Sequence, residues 1–535
     1  MTSSAPTVQA APAEGDWFLF AADFMVPDPQ KAAQVQDFAK QGVLDLWGLY
    51  PPITPEVMDF IREGNNGFLY FLPASDTIIT NFQHLVPRGA TASVEFVEGE
   101  RAKVQELTKS MGGRIWWDVM PEFDSSLSWP SRKLRPTDPT RAGFYRQWSD
   151  GYLSLQPLAQ YLQMTPKQRG FNLASTTGFS CHTHYAYELG SQLNMLERDN
   201  DDIGDLTTGI AFARGAGRQF SRPWGIDISV WRCATDSIPE FDENGRLTGG
   251  WSPEYVKRHL YLSYMAGANM IRMEPTGYHD REGERNPIGQ LVVDFGRFAR
   301  EHPNRGRPQV STAVMLDFYH GFEPKYGEYT QGDSVWYNQI PYSAGDHMTN
   351  NFLRLAFPDH WLSGTTPGAF WAPNQRAREN PKEMRDRMKQ GMDPRPYEPM
   401  GTSRWGDHID VLLSNASLTA LRKYRTIILV GDVKVEGTLQ SALSQWVKEG
   451  GTLVANVAHF PAPDEALTGV KLTGQSREAS QSRWLQDKSI CSEPQFQYAV
   501  VQPAGAEVLA DDGNGAPLIT RHRVGKGEVI LSTPD

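Results

Sequence analysis

The chain has 535 residues, 39% of them hydrophobic and 21% charged, with a formal net charge of −11. That length exceeds one simple domain and suits a barrel of roughly 250–300 residues plus a second unit. The acidic balance argues against nucleic acid or an anionic membrane as partner, and no run approaches the ~18 apolar residues of a membrane span.

Residues 1–14, MTSSAPTVQAAPAE, lack a basic segment followed by an apolar one, so they do not read as a signal peptide as written. They read as a disordered leader or the remnant of a trimmed signal. Location stays open between the cytoplasm and a periplasmic or extracellular site.

The first strand is WFLFAADF, from Trp17 to Phe24, and a helical run leads to the second, VLDLWGLY, from Val43. A short helix follows, with Thr54 placed to cap it and Pro55 in its first turn. The third strand is GFLYFLP, ending at Pro73. A helix from about Ser93 to Met111 precedes the fourth, RIWWDVMPEF, from Arg114. Residues 124–168 form an insertion with helical pieces. The fifth strand, FNLASTTG, starts at Phe171. The sixth, seventh and eighth are LNMLE, WGIDISVW and NMIRMEP, with helical runs between them. Eight apolar strands alternating with helices predict a parallel sheet closed into a TIM (β/α)8 barrel, over residues 15–303.

The polar, breaker-rich stretch EHPNRGRP at residues 301–308 reads as a linker. Beyond it STAVMLDFY, DHIDVLLSN, YRTIILVGDV and TLVANVAHF read as strands. TLQSALSQWVKEGG is an amphipathic helix closed by Gly450 and Gly451. This pattern predicts a flavodoxin-like α/β domain over 309–535 with a β-rich tail. The last strand runs directly to the end of the chain, which suggests that the natural chain continues past Asp535.

Carboxylates recur at the C-terminal ends of the barrel strands, the face where such barrels do their work. Glu197 ends the sixth strand and Glu274 the eighth, while Asp227 lies inside the seventh. Asp23, Asp45, Asp118 and Glu122 extend the set. An inward Asp227 needs partners, because an unpaired buried charge is costly. A barrel mouth ringed with carboxylates suits glycoside hydrolysis, in which one acid protonates the leaving oxygen and a second carboxylate attacks or activates water. Glu197 and Glu274 are the preferred catalytic pair, with Asp118 and Glu122 as the competing choice. Asp227 is read as a residue that positions substrate.

The aromatic content, 15 Trp among 11% aromatics, offers rings for stacking on sugar faces; Trp47, Trp117, Trp231 and Tyr278 are the candidates. Trp336 and Tyr342 are read as second-domain residues able to complete the cleft. His182 and His184, in CHTHYAYE after the fifth strand, are read as mouth-loop donors to substrate hydroxyls. Their spacing matches no known zinc motif, yet with nearby carboxylates they leave open a metal-dependent lyase, isomerase or hydrolase. A non-catalytic sugar-binding protein on a degenerate barrel is the other alternative. The three cysteines, Cys181, Cys233 and Cys491, form no CxxC, and neither a cofactor nor a structural metal is expected. Arg214 and Arg218 read as outward-facing charges.

A barrel with acids at its strand ends, followed by YRTIILVGDV and LSQWVKEGGTLVANVA, resembles the two-domain arrangement of family 42 β-galactosidases. The resemblance implies a glycosidase acting on a carbohydrate, with an amidotransferase-like second domain that has lost that activity and mediates homo-oligomer assembly. The family carries an Asn-Glu pair at the end of strand four and a nucleophilic Glu at the end of strand seven. Here the fourth strand reads WWDVMPEFDSS and the seventh carries Asp227. Only the class therefore transfers. Asp118 with Glu197 instead fits the strand-four and strand-six pattern of clan D α-galactosidases.

Overall fold

The structure, a computed structural model, describes residues 17–24, 37–49, 54–55, 58–59, 67–71, 94–111, 115–118, 135–153, 165, 168, 171–178, 180–198, 206–230, 240–241, 247–249, 253–274, 278–279, 284–322, 334–336, 339–357, 405, 408–462 and 464–534. The chain divides into two compact units.

In the first unit eight parallel strands close into a barrel. They are β1 (Leu19–Phe24), β2 (Leu46–Leu49), β3 (Gly67–Phe71), β4 (Ile115–Asp118), β5 (Asn172–Thr177), β6 (Leu193–Arg198), β7 (Trp224–Ile228) and β8 (Met270–Met273). They lie in sequence order around the barrel, and β8 returns to pair with β1. These are the eight apolar runs of the sequence, so the strand numbering stands. The helices are α1 (Val94–Met111), α2 (Arg141–Leu153), α3 (Ser180–Glu188), α4 (Leu206–Phe220), α5 (Pro253–Met265) and α6 (Pro287–Glu301). Asn286 caps α6 by accepting from Gly289 N at 2.9 Å, and Pro287 opens its first turn.

Successive strand residues face opposite sides, and this period of two builds the interior in layers. Ala21, Leu46, Leu69, Trp116, Ala174, Leu193, Met195 and Met270 form one buried apolar cluster drawn from seven of the eight strands. Two residues beyond Ala21, Trp116, Ala174, Met195 and Met270 the interior turns polar, with Asp23, Asp118, Thr176, Glu197 and Arg272, and Asp227 of β7 lies in register with Glu197 and Arg272. The outer face of β1 packs under the helices: Phe20 meets Phe295 edge-on at 4.9 Å.

The 301–308 stretch is tied to the barrel rather than free. Arg305 donates to the carbonyls of Tyr264 and Ala268, both at 2.7 Å, and its guanidinium lies 4.4 Å from the centre of the Tyr264 ring. Arg218 donates to Pro308 O at 3.0 Å. Arg214, read from sequence as outward-facing, is buried, because α4 is enclosed on nearly every side. The stretch around Trp336, beyond the linker in sequence, returns to the barrel unit. There Trp336 stacks on Tyr185 and Phe144 at 5.9 and 5.8 Å.

The second unit carries a nine-stranded sheet. Its parallel part comprises β9 (Thr312–Leu316), β10 (Ile409–Leu413), β11 (Thr426–Leu429), β12 (Thr452–Asn456) and the final strand Gly527–Ser532. Taken in chain order these lie 2-1-3-4-5, the flavodoxin-like arrangement. Pro517–Val524, Glu507–Asp511, Val470–Trp484 and Ile490–Pro503 extend it as antiparallel strands. The helix Gly437–Glu449 ends at Gly450, whose φ of 126° suits a residue without a Cβ.

Candidate active site

The C-terminal ends of the barrel strands carry a layer of carboxylates. Along β6 the alternation that buries Leu193 and Met195 brings Glu197 inward, and Glu197 lies in register with Asp227 on β7. Asp227 is in turn the register partner of Arg272 on β8. Continuing two residues beyond, Ser229 and Glu274 enter the same space. Asp23, Asp118, Glu197, Asp227 and Glu274 are all at most 2% exposed.

Arg272 organises one side of this layer. Its Nη1 donates to Asp227 Oδ2 at 2.5 Å, while its Nε and Nη2 reach Asp23 Oδ2 at 2.7 and 2.6 Å. The guanidinium is 1% exposed and its five donors in a rigid fork suit two carboxylates at once. Gly48 on β2 makes this possible: a Cβ there would stand 1.6 Å from Asp23 Oδ1. On the fourth and fifth strands Thr176 Oγ1 donates to Asp118 Oδ2 at 2.5 Å.

Ser229 joins the other two acids. Its Oγ lies 2.8 Å from Glu274 Oε2 and 3.3 Å from Glu197 Oε1. Since both contacts end on one atom, those carboxyl oxygens are separated by no more than the two contacts laid end to end, about 6 Å. Tyr278, just after β8, donates from its hydroxyl to the Glu274 carbonyl at 2.6 Å and packs edge-on against Phe38.

The electrostatics follow from burial. Desolvation pushes the Asp227 carboxyl well above the ordinary range; Arg272 pulls it down, and the charges of Glu274, Glu197 and Asp23 push it up again. Burial likewise raises the Tyr278 phenol well above its usual value, with Asp23 and Glu274 adding to the effect. Among the described residues of this layer, five carboxylates face the one guanidinium of Arg272.

The sequence candidates fall into four groups. Glu197, Glu274, Asp227 and Asp118 share the barrel interior, and Tyr278 backs Glu274. Trp47 and Trp117 do not join them: Leu46 and Trp116 take the inward positions, so the alternation turns Trp47 and Trp117 to the outer face, where Trp117 lies 5.4 Å from Phe171. His182 and His184 are in helix α3 rather than in a loop, and both are fully buried. Their rings go to different neighbours, His182 stacking on Trp148 at 5.1 Å and His184 meeting Phe212 edge-on at 6.3 Å. Among the described residues no group of three His, Cys, Asp or Glu side chains is arranged to hold a metal ion. Glu122 and Trp231 lie outside the described residues.

Arg272 and Ser229 were not singled out from the sequence. The signal was present, because the period of two that turns Met270 inward also turns Arg272 and Glu274 inward, and the period that places Asp227 also places Ser229.

No known family profile matches this chain, and no curated protein sequence matches it. Solved structures do. The β-galactosidase of Bacillus circulans sp. alkalophilus is 12% identical and superposes with a TM-score of 0.57, over 97% of this chain and 86% of its own. The cold-adapted β-galactosidase of Rahnella sp. R3 is 13% identical, with a TM-score of 0.53 over 98% of this chain and 87% of its own. The exo-β-1,4-mannosidase Op5Man5 of Opitutaceae bacterium strain TAV5 is 12% identical, with a TM-score of 0.50 over 97% and 92%. This chain thus shares its fold, across nearly its whole length, with enzymes that cleave β-linked galactose and mannose.

Proposed function

We propose that the protein is a retaining glycoside hydrolase whose catalytic pair is Glu197 and Glu274. The observation that carries this reading is the single Ser229 hydroxyl in contact with both carboxyls. Retaining enzymes separate their carboxyls by about 5–5.5 Å and inverting ones by about 6.5–9.5 Å. A ceiling of about 6 Å between the facing oxygens favours the retaining geometry. One member protonates the glycosidic oxygen as the other attacks the anomeric carbon; water then hydrolyses the glycosyl-enzyme, with the first member acting as base. Arg272, Asp23 and Asp227 hold the wall beside the pair. The shared fold supports the same class, and the neighbours' substrates make β-galactosides and β-mannosides the first to try.

The test is release of nitrophenol from a panel of aryl glycosides by the folded protein. Turnover that collapses in both Glu197→Gln and Glu274→Gln supports the proposal. Absence of turnover on every member overturns it.

The near-complete enclosure of all five carboxylates favours one competing reading, a sugar-binding barrel without catalysis. That reading predicts binding that survives both Gln substitutions and no turnover to lose.

A further inference from the structure

The two carboxyls of the pair have different relations to Ser229. A serine hydroxyl carries one proton, so it can donate to one partner only. The shorter contact, 2.8 Å to Glu274 Oε2, takes that proton, and at the weaker 3.3 Å contact to Glu197 Oε1 the Ser229 oxygen can then act only as acceptor. Both contacts persist together if Glu197 carries the proton and donates to Ser229 Oγ, which in turn donates to ionised Glu274. The surroundings are compatible with that order. Beyond Asp227 the Arg272 guanidinium pairs with Asp23 and Asp227. Asp118 on β4 shares the layer, and the Tyr278 hydroxyl is occupied by the Glu274 carbonyl.

We infer that Ser229 is a positioning residue that divides the roles of the pair: it donates its hydroxyl proton to Glu274, the nucleophile, and accepts from Glu197, the general acid. This rests on the glycosidase reading for the names of the roles but not for the proton arrangement. In the first step the Glu197 proton passes to the leaving oxygen as the Glu274 oxygen bonds to the anomeric carbon and the glycosidic bond breaks. In the second, Glu197 takes a proton from water as the water oxygen displaces Glu274.

The arrangement is measurable without substrate, by infrared titration of the protonated-carboxyl band in the folded protein. At neutral pH the Glu197→Gln variant loses one protonated-carboxyl component relative to the parent, and Glu274→Gln does not. Ser229→Ala moves the titration of Glu274 to higher pH, since its anion loses a donor, and Ser229→Thr restores it. In turnover the same Ser229→Ala change shifts the acidic limb of the kcat profile upward. It also removes part of the roughly 10²–10⁴-fold that acid–base catalysis supplies, with KM changing far less. If the band is lost in Glu274→Gln instead, or if Ser229→Ala leaves the titration unmoved, the inference is overturned. Should Ser229→Ala not fold, the two Gln variants still decide which member holds the proton. Lack of turnover in a protein showing the expected band would sink the glycosidase reading alone.

Discussion

Replacing Arg272 with methionine removes the cation from between two buried carboxylates. Three contacts of 2.5–2.7 Å disappear, and Asp23 and Asp227, both at most 1% exposed, are left facing each other and Glu197 without that compensation. Breaking a buried ion pair from one side costs about 3–5 kcal/mol, because the charge left behind bears its desolvation. The cost has a definite pH dependence. Burial already raises the Asp227 carboxyl well above its usual value, so its folded form holds a proton that the unfolded chain releases above roughly pH 3.9. Such a group gives a contribution that is fully present below the unfolded pKa and is lost as pH rises through the folded one. Arg272 opposes this by lowering the folded pKa, and its removal sends that pKa higher still. The penalty of Arg272→Met is therefore smaller near pH 4, where an unfolded Asp is only about half ionised and folded Asp227 holds its proton, and it grows as pH rises toward 8. Urea denaturation of both proteins across that range measures it. Adding Asp227→Asn to Arg272→Met recovers part of the loss at pH 8 and little at pH 4. A penalty independent of pH, or a double variant no more stable than the single one at pH 8, would refute the reasoning.

Other outcomes follow from the same geometry. Gly48→Ala drives a methyl into Asp23 and costs about 1–3 kcal/mol by overpacking; in a double-mutant cycle with Asp23→Ser the two changes are less than additive. Additive losses would mean that the close approach is not what Gly48 serves. Trp336→Ala empties a site packed by Phe144, Tyr185 and His182, costs about 3–5 kcal/mol, and speeds amide exchange in α3 while leaving the helix Gly437–Glu449 unchanged. Slow exchange persisting in α3 would count against its role there. Chelation by EDTA leaves hydrolysis unchanged, since the His182 and His184 rings serve separate aromatic contacts; loss of activity that zinc restores would revive the metal-dependent reading.

Much of the barrel is legible in the sequence because each strand is an apolar run between breakers. The acids at the strand ends are legible because a charge that closes such a run falls where the barrel's working face begins. Three features resist local reading. The pairing of Arg272 with Asp23 joins residues 249 apart, and it exists only once β8 closes against β1. The SCHTHYAYE segment shows no polar face, because Ser180 to Tyr187 are buried on every side, so the stripe that marks a surface helix is missing and the segment reads as a loop. Trp336 stands beyond the linker in sequence, yet its ring belongs to the barrel unit, a return that composition cannot signal. The outward turn of Trp47 and Trp117 was open to inference. Aromatic content alone suggested a cleft, but counting by two from Leu46 and Trp116 assigns both rings to the wall under the helices.

Trapping tests most directly which carboxylates do the chemistry. Once the panel identifies a cleaved sugar, its activated 2-deoxy-2-fluoro derivative should accumulate as a covalent glycosyl-enzyme. Peptide mass spectrometry after digestion then identifies the labelled side chain. The label is expected on Glu274, with Glu197→Gln still labelled by derivatives whose leaving group needs no acid. A label on Asp118, Glu122 or Asp227, or net inversion with no trapped enzyme, would contradict the pair.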